Sequence, residues 1–356
     1  MVEVRHLTLV TTIDKAGSLS EAAKLLHLTP SALSHQLKQL ESSLGTAIFY
    51  RTNNHLHFTP SGKEFLKSAK EILSQLHQMK DRIQEIEEVQ LEKYIHGFSQ
   101  QETRRLYDQA SSIEQFLHWD STWPKGSLIL EAGCGVGAQT KFIAPKNPDS
   151  NFIAVDLSEK SLKQAASSIQ ELEINNVAFQ KADIRKMPYA DNHFDHVFVC
   201  FVLEHLPNPT QVLKELKRVL KPGGTITLIE GDHGSTYFYP DSVAAQNAVQ
   251  AQVTLQQQNG GDANIGRALF PMLQALNFKD IIVNPRQVYV DESKPKLVEG
   301  FIKNTFTAMI KGIAEEAIAK KIISKEAMSQ GIEDLLHTAE GGTFCYTFFK
   351  GRGTKA

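Results

Sequence analysis

The residues best suited to chemistry fall into two groups far apart in the chain. In the first stands Glu131-Ala-Gly133-Cys134-Gly135-Val-Gly137-Ala, whose alternating glycines let backbone approach a bound molecule closely because no Cβ intervenes. A dinucleotide fingerprint spaces its glycines G-x-G-x-x-G. Here they run G-x-G-x-G behind an acid, a poorer match to a pyrophosphate that favours a smaller, cationic ligand. Asp156 lies 19 residues beyond Gly137, at the expected end of a strand, and is placed to accept both hydroxyls of a ribose. Asp183 ends a third apolar run, where a carboxylate can take the exocyclic amine of adenine. Any one of these acids reads equally well as a helix cap, but three at successive strand ends converge on one crevice. Glu230-Gly-Asp232-His233-Gly follows a fifth apolar run, making His233 the candidate base or acceptor ligand and Asp232 its orienting partner. Arg267 and Arg286 could bind an acidic acceptor or pair with surface acids, and Tyr237 and Tyr239 could line a pocket. In the second group, Ser31, Ser34, His35 and Lys38 fall at i, i+3, i+4 and i+7 of one helical face. A helix entering a major groove needs such small, hydrogen-bonding side chains, although a solvated face shows the same pattern.

Positioning these groups requires three kinds of element. Residues 1–60 predict a helix through Asp14, helices over 20–26 and 31–44, and a hairpin turning near Asn53-Asn54, the outline of an all-α winged helix-turn-helix. Thr29 and Pro30 suit the entry to the third helix, and Leu33, Leu37 and Leu40 form its buried stripe. Phe65, Ala69, Ile72, Leu76, Met79, Ile83 and Ile86 then alternate at spacings of four and three, a heptad seam that makes residues 61–90 a dimerising coiled-coil linker helix. From 91 to 356, apolar runs alternate with amphipathic helices, the signature of a doubly wound, largely parallel α/β sheet. Strands are expected over 128–131, 152–155, 177–180, 196–201, 225–229, 281–290 and 344–349, with Lys221-Pro-Gly-Gly as a helix stop and turn before the fifth and a helical insertion over about 296–337.

The chain has 356 residues, 41% hydrophobic and 22% charged, with no unbroken apolar run near 20, which excludes collagen-like, mainly disordered and membrane-spanning classes. An acid and a histidine within the first six residues stand where a secretory signal needs an apolar block, so a cytoplasmic location is expected. Cys134, Cys200 and Cys345 are too scattered to pair as metal ligands, so no metal and three free thiols are expected. Formal net charge is -2, yet residues 1–80 hold nine Lys and Arg against six Asp and Glu, so any attraction to nucleic acid is local.

Residues 3–70 resemble the DNA-binding arm of LysR-type regulators, in wording nearest to regulators of methionine biosynthesis. The resemblance rests on Gly17-Ser-Leu-Ser-Glu-Ala-Ala-Lys-Leu-Leu, Pro30-Ser-Ala-Leu-Ser-His-Gln-Leu-Lys-Gln-Leu-Glu, Leu44-Gly, Phe49-Tyr-Arg and Phe58-Thr-Pro-Ser-Gly. It implies that Ser34, His35 and Lys38 reach bases or phosphates of an operator, that Arg51 contacts the DNA backbone before the wing, and that Thr29 and Thr59 cap helices beside phosphate. It also implies a homodimer through the linker helix. The two-lobed effector domain expected after residue 90 is absent from the sequence. Residues from about 91 to 290 resemble instead class I S-adenosylmethionine-dependent methyltransferases, through the Glu131 glycine loop, Asp156, Ala182-Asp183-Ile184, Phe194-Asp-His-Val-Phe-Val-Cys-Phe, Leu203-Glu-His-Leu and Lys221-Pro-Gly-Gly.

That second resemblance implies S-adenosylmethionine as cofactor. Glu131 with Gly133, Cys134, Gly135 and Gly137 would hold its methionine part, Asp156 with Leu157 the ribose, Asp183 with Ile184 the adenine, and backbone near Cys200 would help at the sulfonium. Tyr94 would either close over the cofactor or sit in the core, and His205 would be structural or cofactor-lining. Methylation of DNA itself is disfavoured, because the fourth strand leads into Cys200-Phe-Val-Leu-Glu-His without an Asn/Asp-Pro-Pro-Tyr clamp or a Pro-Cys nucleophile. A small-molecule acceptor is the expectation, with a non-catalytic, S-adenosylmethionine-sensing regulator as the alternative.

Overall fold

The computed structural model describes residues 2–26, 28–52, 55–91 and 100–356. Within them, side chains are described except at Ser20, Pro30, Arg51, His55, His77, Gln78, Lys80, 81–91 and 100–104. The chain divides into two compact units, residues 1–90 and 91–356.

The first unit places α1 (Val4–Ala16), α2 (Leu19–Leu25) and α3 (Pro30–Leu44) around one apolar core. Each helix start has its own local cause. Ser18 Oγ accepts the Glu21 N–H at 3.2 Å ahead of α2, and Thr29 Oγ1 accepts the Ala32 N–H at 3.2 Å ahead of α3. The expected stripe of Leu33, Leu37 and Leu40 is buried against Leu9, Val10 and Ala22, leaving the opposite face of α3 polar. Strands β1 (Phe49–Thr52) and β2 (His55–Phe58) pair antiparallel from Phe49↔Phe58 to Thr52↔His55, which is the wing; its Asn53-Asn54 turn lies outside the described residues. Glu41 ties wing to helix by accepting the N–H groups of Ile48 and Phe49 at 2.9 and 3.2 Å. Then comes α4 (Pro60–Leu91). Along its described part, Phe65 packs on the core of the first unit and Ala69 is fully buried, while Ile72 and Met79 stand 42% and 43% exposed, so the apolar seam is covered at its start and open further on.

The second unit opens with α5 (Gln100–Leu117) and is built on a seven-stranded sheet. Its strands are β3 (Leu128–Ala132), β4 (Asn151–Asp156), β5 (Val177–Lys181), β6 (Phe194–Cys200), β7 (Leu220–Tyr239), β8 (Phe278–Val290) and β9 (Thr343–Lys355), in the order β5-β4-β3-β6-β7-β9-β8. The pairs β5/β4, β4/β3, β3/β6 and β6/β7 are parallel, and β9 runs antiparallel to both neighbours. Order reverses between β3 and β4 on one side and β6 on the other, so the crevice at the carboxyl ends of β3, β4 and β6 is where a Rossmann-like sheet receives a ligand.

All seven expected strands occur, but β8 begins earlier, at Phe278, β9 runs on to Lys355, and β7 is longer at both ends. Lys221-Pro-Gly-Gly does not precede the fifth strand; it lies within β7, whose first residue Leu220 pairs with Phe194 across a register shift. At its other end β7 continues far past Ile229, because β9 supplies an antiparallel partner as far as Tyr239↔Thr343. Between β8 and β9 the chain is helical throughout most of 295–337, including a π-type stretch over Val298–Thr307 that presents Phe301, Thr305 and Phe306 to the core.

Candidate functional site

Straight after β3 the backbone turns through three glycines in the left-handed region, Gly133 at φ 79°, Gly135 at 52° and Gly137 at 76°. For Gly133 the lack of a side chain is also steric, since a Cβ would come within 2.6 Å of Val202. At Gly135 a Cβ would meet nothing within 4 Å, so this residue faces open space. Three backbone donors fix the loop: the Gly133 and Cys134 N–H groups donate to Val155 O at 2.9 and 3.0 Å, and the Gly135 N–H to Asp156 Oδ2 at 2.8 Å. Asp156 Oδ1 also accepts the Ser158 N–H at 2.9 Å. The Leu157 N–H is a further backbone donor to this carboxylate. Burial raises the Asp156 carboxyl, against the pull of those N–H groups.

Beneath the loop, Glu131 is 3% exposed and accepts Thr140 Oγ1–H at 2.7 Å. Burial pushes its carboxyl up to about 8, with the Asp156 charge adding to the rise. A buried acid with one hydroxyl partner is suited to a cationic group. The sequence-derived residues at the other strand ends are less free. Asp183 accepts Arg185 through Nε at 3.0 and 3.1 Å and through Nη2 at 3.0 Å, and it also accepts the Arg185 N–H at 2.8 Å. Burial acts to raise Asp183, but Arg185 holds it below the usual carboxylate range. Arg185 thus already occupies both oxygens of that carboxylate. Ile184 is buried, Leu157 half-buried, and Cys134 and Cys200 are buried thiols pushed well up by desolvation, which does not suit them as nucleophiles. Tyr94 lies outside the described residues.

At the end of β6 the backbone makes a turn that the sequence did not disclose. Phe201 sits at φ 56° and donates its N–H to Ile229 O at 2.9 Å, a strained conformation for an aromatic residue. The next turn is held by Glu230, wholly buried, whose Oε1 accepts the N–H groups of Val202 and Leu203 at 3.1 and 2.9 Å. Desolvation pushes Glu230 far up. Phe201, Glu204, His233, Phe306, Tyr346 and Arg105 line a cavity of about 50 Å³ beside this turn.

Several expectations are corrected there. Asp232 does not orient His233: its carboxylate is gripped by Arg267, whose Nε lies 3.1 Å from both oxygens. The carboxylate next to His233 is Glu204, with Oε2 at 3.8 Å from His233 Nε2. His205, for its part, lies against Glu204 Oε1 at 3.4 Å on the same cavity wall. Arg286 is likewise committed internally, to Asp120 and to Phe116 O at 3.0 Å. Tyr237 and Tyr239 are exposed and are not among the residues that line this cavity. The pair Glu204 and His233 was not legible because the two residues sit 29 positions apart, Glu204 just after β6 and His233 within β7.

In the first unit, Thr29, Ser31, His35 and Lys38 are exposed and Ser34 is half-buried, all on or at the start of the polar face of α3. Thr29 is a helix cap, and Thr59 Oγ1 likewise accepts the Gly62 N–H at 3.0 Å. Arg51 lies in β1 opposite Leu56, with its side chain outside the described ones. The described cysteines are free and buried. Among the described residues no helix is long and apolar enough to cross a membrane.

Comparison with known proteins gives two domain matches. Residues 4–63 match the lysR family of bacterial regulatory helix-turn-helix proteins, and residues 130–228 match a methyltransferase domain. The chain thus joins a segment that matches the lysR helix-turn-helix family to one that matches a methyltransferase domain. An uncharacterized methyltransferase of Schizosaccharomyces pombe is 35% identical over 151 residues, 41% of this chain and 54% of its own length. The HTH-type transcriptional regulator MetR of Escherichia coli is 41% identical over 138 residues, 37% of this chain and 39% of its own. The chain therefore spans about half, or less, of the curated relatives it matches. Among solved structures, the YcgJ protein of Bacillus subtilis aligns at 18% identity and a TM-score of 0.45, covering 69% of this chain and 98% of that one.

Proposed function

We propose that the chain transfers a methyl group from S-adenosylmethionine to a small-molecule acceptor, and that its LysR-type arm carries this activity to operator DNA as a cytoplasmic homodimer. The observation that carries the reading is the loop from Gly133 to Gly137: open at Gly135, clamped by Asp156 and floored by the buried acid Glu131. Bound S-adenosylmethionine supplies a methyl group activated by a sulfonium. Glu131 and the loop N–H groups would hold its amino acid part, Asp156 with Leu157 its ribose, and Asp183 with Ile184 its adenine. Backbone around Cys200 and Phe201 would pass beside the sulfonium. The protein's work is then to orient acceptor and donor in line and to exclude water. His233 would bind the acceptor or take its proton.

On the DNA side, Ser34, His35 and Lys38 would meet bases or phosphates, with Thr29, Ser31 and Arg51 on the backbone. Residues 1–60 would form the binding domain, 61–90 the dimerisation helix and 91–356 the methyltransferase. The linker helix and the Tyr94 segment follow one another in sequence, so occupancy of one module would shift affinity at the other. Linkage makes such a shift reciprocal and typically about 1–3 kcal/mol. The test is a turnover assay of the purified protein against candidate metabolites, with and without promoter DNA, beside operator titrations with and without saturating S-adenosylmethionine at fixed salt. Cofactor binding without any methylated product would favour the sensing regulator instead.

A further inference from the structure

The hydroxyl of Tyr107, on α5, reaches the glycine loop directly. It donates at 2.7 Å to Val136 O, on the residue between Gly135 and Gly137, and it lies 2.9 Å from Ser168 Oγ. A phenol has one proton and a carbonyl none, so the Ser168 hydroxyl is the donor in the second bond. Ser168 belongs to the helix Glu159–Glu171 that follows β4. Ala165 lies one turn earlier on the same face of that helix, and a Cβ on Gly137 would stand 3.0 Å from its Cβ. Loop, helix and α5 thus meet at one point: Gly137 lets the loop sit against the helix, and Tyr107 fastens both from the third side.

Other contacts hold α5 in place, so the hydroxyl acts as a strut from a fixed base. Ile113 and Leu117 are fully buried in the core of the second unit, and Ser112 lies so close to the π-type stretch that a Cβ on Gly300 would collide with its Oγ. Beside the hydroxyl, Leu106 and Ala110 pack on Val136 and Ala138 in a small apolar cluster of their own. Lys141, just past the loop, adds a second tie, with Nζ 4.7 Å over the Tyr107 ring and donating to Ser111 Oγ at 3.0 Å. Glycine backbone rotates most freely, and Val136 stands between two glycines in the left-handed region. An outside anchor on its carbonyl therefore fixes the peptide plane that it shares with Gly137. Resting on the cofactor assignment above, we infer that Tyr107 is a positioning residue, whose hydroxyl acts through Val136 to set the loop for the amino acid part of S-adenosylmethionine.

Tyr107→Phe keeps the ring and its packing and removes the hydroxyl alone. Two ligands are titrated by calorimetry into the full-length wild type and variant: S-adenosylhomocysteine, and 5′-methylthioadenosine, which has the adenosine and the sulfur but no amino acid part. The expected result is that the variant binds S-adenosylhomocysteine about fivefold more weakly, the scale of one lost hydrogen bond, while 5′-methylthioadenosine affinity changes less than about twofold. The melting temperature of the unloaded variant should fall by no more than about 4 °C. Unchanged S-adenosylhomocysteine affinity overturns the inference and leaves the methyltransferase reading standing. Equal weakening of both ligands, or a variant that does not fold, does the same, since either makes the hydroxyl a general support of the fold. If the wild type takes up S-adenosylhomocysteine alone, the melting temperature decides: weaker binding with a fall beyond that limit overturns the inference, and weaker binding within it upholds the inference. Failure of S-adenosylhomocysteine to bind the wild type overturns the methyltransferase reading, and the Tyr107 assignment with it.

Discussion

Asp156 and Gly135 are joined by a single hydrogen bond, Gly135 N–H to Asp156 Oδ2 at 2.8 Å, so the acid at the end of β4 fixes the most open point of the loop after β3. The side chain proposed to hold ligand hydroxyls is thereby also the brace of the loop proposed to hold the rest of the ligand. Asp156→Ala removes both at once. Leaving buried donors without an acceptor costs about 1–3 kcal/mol, so S-adenosylmethionine affinity should fall by roughly one to two orders of magnitude or more. Operator affinity measured in the absence of cofactor should not change. Undiminished calorimetric binding to the variant would count decisively against this site.

Glu131 gives the ligand-free protein a defined pH response. Its carboxyl has an ordinary value of 4.5 and is lifted by burial to about 8, so the folded chain keeps a proton that the unfolded chain releases. Stability then falls as pH rises from about 4.5 towards 8 and levels off above that. Glu131→Gln cannot release the proton, so its melting temperature should gain on wild type progressively between pH 5 and 8. Parallel melting curves across that range would show that Glu131 titrates normally.

Arg267 is half-exposed, but its partner Asp232 is 3% exposed, and that asymmetry sets the cost of breaking the pair. Arg267→Ala strands a buried carboxylate. Allowing for solvent at the guanidinium, the loss should be about 1–3 kcal/mol, visible as an earlier urea midpoint. Arg267→Lys should recover part of it, because an ammonium keeps the charge but not the two-pronged geometry. An unchanged midpoint in the alanine variant would show that Asp232 is neutral or finds water.

Much of this architecture was readable because its causes are local. Burial writes central strands such as β3 and β6 as apolar runs, so they could be placed before their order was known. The polar face of α3 follows from Leu33, Leu37 and Leu40 claiming the other one. What escaped depends on partners distant in sequence. β7 extends to Tyr239 only because β9 comes back beside it, and Asp232 serves Arg267 and not His233 only because residue 267 returns to that strand end. Asp183 was placed correctly at a strand end, yet nothing in its spacing showed that Arg185, two residues on, would occupy it.

The exposed seam of α4 bears on assembly. Leu76 is half-buried between Ile72 and Met79, which are exposed, and a second copy of the helix is the expected cover. Leu76→Lys should shift the protein from dimer towards monomer in sedimentation equilibrium and weaken binding to an inverted repeat, since two recognition helices need half-sites set by their separation. A monomeric wild-type protein that still binds such DNA tightly would remove the dimer from the account.

The most direct test of the whole account is an equilibrium titration of S-adenosylmethionine into the purified full-length chain, repeated with the chain bound to operator DNA. One saturable site per chain, competed by S-adenosylhomocysteine and present in both conditions, is the predicted result. No saturable binding in either condition would contradict it.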